Sequence, residues 1–149
     1  MTDTQPVLLD TDTLSELSRG NTRVCERALA YLSRFGRLTI TAITVFERLR
    51  GYRLAIRNGR PYQRQMQAFQ ALAASSDVLP FDESAAGVAG EIWSRVSASR
   101  RCQLGDILIA GIAVSRQLPL VTRNRRDFEE LGKSIGAPLR LLGDWSAGP

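Results

Sequence analysis

Val7-Leu8-Leu9-Asp10-Thr11-Asp12 is a short apolar run that ends in a carboxylate, with the start of a helix directly behind it. The pattern returns along the chain. Leu38-Thr-Ile-Thr41 precedes a helix opened by Thr44-Val-Phe-Glu47, and Leu118-Pro-Leu-Val-Thr122 precedes a helix opened by Asn124-Arg-Arg-Asp127. Asp106 opens an apolar stretch, Asp106-Ile-Leu-Ile-Ala-Gly-Ile-Ala-Val114, that reads as a helix buried on every side. Two weaker strands, Asp77-Val-Leu-Pro80 and Leu139-Arg-Leu-Leu142, complete an alternation of strand and helix. Such alternation predicts an α/β layer fold with a mostly parallel sheet. In open parallel sheets ligands bind beyond the carboxyl ends of the strands, so the polar residues that follow each strand should converge there.

The intervening helices are predicted from caps and periodicity. Asp12 is expected to cap a helix over Thr13–Arg19, which Gly20-Asn21 ends. A second helix covers Thr22–Arg34, with Val24, Ala28, Leu29 and Leu32 on its inner face. The Glu47 helix runs to Arg57, and Pro61 is placed to start the next one, which reaches Ala74. Arg48, Arg50, Arg53, Arg57, Arg60 and Arg64 make this pair a basic surface hairpin. Asp82 caps a helix from Glu83 to Ala98, with Val88, Ile92, Trp93 and Val96 on one side.

At 149 residues the chain fits one domain, with a core over about 7–145. The start, Met1-Thr-Asp-Thr-Gln-Pro6, has no basic and apolar leader pattern, and no apolar run is long enough to span a membrane; the expectation is a cytoplasmic protein. Cys25 and Cys102 are far apart and are expected to be packing residues. The chain contains no histidine, which excludes Ser-His-Asp hydrolysis, histidine acid/base chemistry and His-ligated zinc. Catalysis, if present, must use carboxylates, hydroxyls, arginine or a metal held by oxygen. The formal charge of +5 is carried almost wholly by arginine, with Lys133 the one lysine, and a forked guanidinium suits phosphate.

Each acidic position also has an ordinary structural reading. Thr44-x-x-Glu47 and Asn124-x-x-Asp127 match capping pairs, and Asp106 could be an N-cap. Asp10 has no such task, because Asp12 is the better cap. Asp106 opens a buried helix, where an unpaired charge is costly. Carboxylates gathered at one sheet edge repel one another unless their pKa values rise or a cation binds. Oxygen-only donors select a hard ion, Mg²⁺ or Mn²⁺, which would turn an acidic pit into a clamp for a phosphodiester, with basic residues around it holding the rest of a nucleic-acid backbone.

These residues resemble the PIN-domain ribonucleases, and specifically the VapC-like toxins of bacterial toxin–antitoxin pairs. The likeness runs from Leu8 to about Trp145. It is carried by Leu-Leu-Asp10-Thr-Asp-Thr-Leu-Ser, Thr41-Ala-Ile-Thr44-Val-Phe-Glu47-Arg-Leu-Arg-Gly51, Gly105-Asp106-Ile-Leu-Ile-Ala110 and Thr122-Arg-Asn124-Arg-Arg-Asp127-Phe128. The resemblance implies a PIN-like three-layer α/β/α sandwich, metal-dependent endoribonuclease activity, a homodimer and a cognate antitoxin. It implies Asp10 and Asp106 as metal ligands, Glu47 ligating directly or through water, and Thr11 and Thr122 ordering ligands. The family often has aspartate at the position of Asn124, so the fourth site residue is either Asn124 or Asp127. Two other readings compete. Asp10-x-Asp12 after a strand also resembles haloacid-dehalogenase-type phosphatases, although Leu14 stands where that pattern has Thr and Lys133 is in a poor context. The other is a non-catalytic domain whose acids bind metal while its work is partner binding.

Overall fold

The computed structural model describes residues 4–136 and 139–148. They form five strands, β1 (Leu8–Leu9), β2 (Thr39–Thr41), β3 (Asp77–Leu79), β4 (Leu120–Val121) and β5 (Leu141–Leu142). The helices are α1 (Thr11–Ser18), α2 (Thr22–Phe35), α3 (Ala42–Arg57), α4 (Gln63–Ala74), α5 (Glu83–Arg95), α6 (Ala98–Arg101), α7 (Leu104–Arg116) and α8 (Arg125–Ser134). The sheet order is β3-β2-β1-β4-β5, and every pairing is parallel. The order reverses at β1: successive strands run outward on one side as far as β3, then β4 returns to pair with the other edge of β1. That reversal is where an α/β sheet opens a crevice for a ligand.

Period-two alternation sends neighbouring side chains of one strand to opposite faces, and two cores result. Leu8 and Leu120 join α5, α7 and α8 around Ile92, Ile109, Ile112 and Phe128 on one face. Val7, Leu9, Ile40 and Val121 join α1, α2 and α4 around Leu14, Tyr31 and Phe69 on the other. The three-layer α/β/α arrangement follows. α7 is buried along Ile107 and Ile109–Ala113, as its composition requires. It packs against α5 so closely that a Cβ on Gly111 would lie 2.7 Å from the Ala85 carbonyl oxygen and 2.9 Å from Ala89 Cβ.

Several local expectations are corrected. Leu29 is 66% exposed, and Tyr31 takes the inner face of α2, its hydroxyl oxygen accepting the Val7 N–H at 3.0 Å. The helix beginning at Glu83 stops at Arg95, where Val96 is extended, and Arg100 and Arg101 belong to α6. Trp93 is consequently half exposed, and Arg101 stacks over its ring at 4.3 Å. Pro61 lies ahead of α4, whose cap is Tyr62. Cys25 is partly buried, but Cys102 is exposed and fills no core. Arg48 leaves the basic surface of α3 and turns inward, donating to Ser15 Oγ at 3.0 Å and to the Tyr52 hydroxyl.

Candidate active site

Asp10 sits at the carboxyl end of β1, at the point where the strand order reverses. It is Asp10, not Asp12, that caps α1: its Oδ1 accepts the Thr11 N–H at 2.7 Å while Asp12 occupies the exposed first turn. The two-residue shift arises because β1 ends at Leu9, so the extended cap conformation falls on Asp10. Oδ2 accepts the Thr122 hydroxyl from the end of β4, also at 2.7 Å. Thr122 Oγ1 in turn accepts the Asn124 N–H at 3.0 Å. Thus a residue 112 positions away orients the first acid. Asp10 is 3% exposed, and its pKa is pushed up to about 7 by burial above all, with the charges of Asp106 and Asp12 adding to the effect and the Thr122 hydrogen bond opposing it.

Glu47 comes from the second turn of α3. The expected Thr44–Glu47 capping box does not form: Thr41, the last residue of β2, is the cap and accepts the Thr44 N–H at 3.0 Å. Glu47 is left free of the helix end and accepts the Thr11 hydroxyl at 3.1 Å. Because a carboxylate only accepts, the hydroxyl protons have one consistent direction: Thr41 donates to Thr44 at 3.3 Å, Thr44 to Thr11 at 3.0 Å, and Thr11 to Glu47. Thr41 and Thr44 are fully buried and were not read as site residues from sequence, Thr44 being taken as a helix cap; the Thr-x-x-Thr spacing at a strand end was the available signal. Thr11 therefore connects Asp10, through its N–H, to Glu47, through its hydroxyl.

Asp106 is the third residue of α7 and not its cap, which is Gln103. Its pKa rises to about 6, first through burial and then through the charges of Glu47, Asp12 and Asp127. Gly105 places α7 against Glu47: a Cβ there would lie 3.0 Å from Glu47 Oε2. Any side chain at 105 would press on that carboxylate, a contact invisible without the fold. Asp12, read as a cap, is instead an exposed acid whose charge bears on both Asp10 and Asp106.

The fourth position is divided between two residues. Asn124 stands at the cap position of α8 but makes no capping bond; its Nδ2 donates to Asp106 Oδ2 at 3.4 Å. Asp127 is ion-paired with Arg100, which also bonds Glu130, and takes a 3.4 Å hydrogen bond from Gln103. The Arg100 hydrogen bond, foremost, holds its carboxyl below the usual range. Asn124 thus faces the acids directly, and Asp127 is engaged at the rim.

The chain matches the PIN domain model over residues 7–134. It belongs to the PIN domain family. Among curated proteins it is 33% identical over 99 residues to the tRNA(fMet)-specific endonuclease VapC of Shigella flexneri, covering 65% of this chain and 71% of that one. Among solved structures, DNA-bound VapBC from Salmonella typhimurium matches with 26% identity and a TM-score of 0.73, over 95% of this chain and 99% of that chain. FitAcB from Neisseria gonorrhoeae matches with 25% identity and a TM-score of 0.67, over 93% and 98%. The phosphatase reading finds no support in this PIN domain: Leu14 is fully buried in the core, and Lys133 lies exposed in the last turn of α8. No helix among the described residues is long and apolar enough to cross a membrane.

The donor set fits a hard divalent ion. Asp10, Glu47 and Asp106 offer oxygen only, and burial together with mutual repulsion raises the pKa values of Asp10 and Asp106, a conflict that a cation relieves. Among the described residues no three acidic or thiol side chains are already closed around one point. Each carboxylate is held by its own hydroxyl or amide donor.

Proposed function

We propose that this PIN domain is a Mg²⁺- or Mn²⁺-dependent endoribonuclease, the toxin of a toxin–antitoxin pair. The observation that carries the reading is the convergence of Asp10, Glu47 and Asp106, from three separate elements, on the edge where the sheet order reverses. Asp10 and Asp106 would hold the ion, with Glu47 ligating directly or through water. Bound there, a divalent ion supplies Lewis acidity toward water and neutralises charge on a phosphodiester. The chain's own residues set the geometry. Thr122 and the Thr11 N–H fix both oxygens of Asp10, the buried threonine relay fixes Glu47, and Asn124 steadies Asp106. Arginines on α3 and α4 hold the flanking phosphates, and the Shigella relative's action on a transfer RNA makes structured RNA the substrate class to try first.

The partner in this reading is an antitoxin protein. A cleft of ≈ 800 Å³ between α1 and α2 on one side and α3 and α4 on the other, walled by Leu29, Leu32, Phe69 and Leu72, offers an apolar seat for an amphipathic segment of it.

The test is cleavage of total cellular RNA by purified, partner-free protein with Mg²⁺ or Mn²⁺ against EDTA, beside Asp106→Asn. Discrete fragments that require both the ion and Asp106 are expected, with a loss of at least about 100-fold in the variant. A folded Asp106→Asn protein cutting at the wild-type rate would overturn the assignment. Metal binding with RNA intact in every lane would return the chain to the binding-module reading.

A further inference from the structure

A second, smaller cleft of ≈ 300 Å³ begins at Glu47 and runs along the outer face of α3, bordered by Gly51, Tyr52, Ala55, Arg60 and Tyr62. Glu47, Gly51 and Ala55 are four residues apart, so they line one side of the helix over two turns, about 11 Å. Gly51 is unexpected there. Its φ is not positive, and a Cβ built on it would meet nothing within 4 Å. Neither backbone conformation nor packing therefore asks for glycine, which is the poorest helix former after proline. What glycine does at this position is keep the floor of the cleft clear next to a catalytic acid.

The far end has the opposite character. The turn after α3 folds back, with Gly59 at φ 80° and the Arg60 N–H donating to the Ala55 carbonyl at 2.9 Å. This sets Arg60 above the last turn of α3. None of the ion pairs among the described residues engages Arg60. Beside it the Tyr62 ring is 37% exposed and borders the same cleft. An acid that belongs to the cleavage site, a bare floor, an exposed aromatic ring and an unpaired guanidinium follow one another in a line. For a single RNA strand that sequence of groups is complementary: scissile phosphate, sugar, base and next phosphate.

We propose that this cleft is a nucleotide subsite, in which the residue adjacent to the scissile phosphate lies over Gly51 and Ala55, stacks its base on Tyr62 and presents its distal phosphate to Arg60. The assignment rests on the nuclease reading above. The site takes one unpaired nucleotide.

Gly51→Leu tests it without threatening the fold, because leucine is the better helix former and its Cβ enters open space. Cleavage of total transfer RNA with Mg²⁺ is measured together with binding of a fluorescein-labelled, mixed-sequence oligoribonucleotide in an Asp106→Asn background. Gly51→Leu is expected to melt about 2 °C higher than wild type, yet to bind the oligoribonucleotide about tenfold more weakly and raise KM with kcat nearly kept. Tyr62→Ala is expected to cost about tenfold in binding, the size of one base–aromatic stack. Arg60→Ala should flatten the salt dependence by about one phosphate contact. A folded Gly51→Leu protein that binds and cuts RNA as wild type does overturns the subsite, whatever Asp106→Asn shows. If that variant cuts normally but escapes neutralisation by its protein partner, the cleft belongs to the partner and the proposal falls. Failure of the nuclease reading is seen separately, as cleavage that survives Asp106→Asn.

Discussion

Thr122 has one hydroxyl proton and gives it to Asp10, while its oxygen takes the Asn124 N–H. Replacing it by valine keeps the shape and removes both bonds. Since that hydrogen bond is what opposes the upward shift of Asp10, Thr122→Val should raise the Asp10 pKa further and move the acidic limb of the pH–activity profile to higher pH, with activity lower at neutrality. An unchanged profile in a folded variant would show that Thr122 does not govern Asp10. At this scale the sequence was legible in residue type more than in residue task. Asp10, Glu47, Asp106 and Asn124 were all singled out, and the structure brings them to one edge. Their hydrogen bonds were not foreseeable. Asp10 was denied the capping role it has, and Glu47 was offered one it lacks, because the true strand ends at Leu9 and Thr41 shift those caps by two and three residues, while Asn124 holds the cap position of α8 without the capping bond. Asp127, equally plausible from spacing, is claimed by Arg100, a partner 27 positions earlier that no local pattern announces.

Among the elements, α7 and α5 form the tightest joint, and Gly111 is the residue that permits it. A methyl group there meets backbone at 2.7 Å, so the two helices must part. Gly111→Ala should destabilise by about 1–3 kcal/mol, read as a lower urea midpoint, and should weaken cleavage because Asp106 rides on the same helix. A midpoint equal to wild type would mean that the joint has slack. The contrast with Gly51 is instructive: of these two helix glycines, Gly111 is required by a neighbour's carbonyl and Gly51 by no packing contact. The helices themselves were legible through their apolar periodicity, and α7 through its near-unbroken apolar run. What was not legible was the break at Val96, where an apparently continuous apolar pattern divides into α5 and α6. Periodicity reports which residues are apolar; it does not report where a chain must bend so that Arg100 can reach Asp127 and Glu130.

For the whole molecule, the acids make stability depend on pH in an unusual sense. Asp10 and Asp106 have folded pKa values of about 7 and about 6, raised from 3.8. Between roughly pH 4 and 7 the folded state therefore keeps protons that the unfolded chain has released, and stability falls as pH rises through that window. Asp127 and Glu16 are shifted downward and act with the opposite sign, but only below the ordinary carboxylate range. The melting temperature of EDTA-treated protein should thus drop from pH 5 to pH 8, by a free energy on the order of 1–3 kcal/mol for Asp10. Mg²⁺ should recover the loss at pH 8 and do little at pH 5, where protons compete for the same oxygens. A melting temperature that ignores both pH and Mg²⁺ would remove the acids from the metal site. The all-parallel sheet and its two faces were readable from the alternation of strand and helix; the strand order was not, since nothing local says that β4 returns to the free edge of β1. That return has a consequence for synthesis. Asp10 is made well before the strand and hydroxyl that complete its surroundings, which follow α7, so a nascent chain that stops short of Thr122 carries Asp10 without its partner. The hydrogen bonds that hold Asp10 and Asp106 are complete only once the chain has passed Asn124.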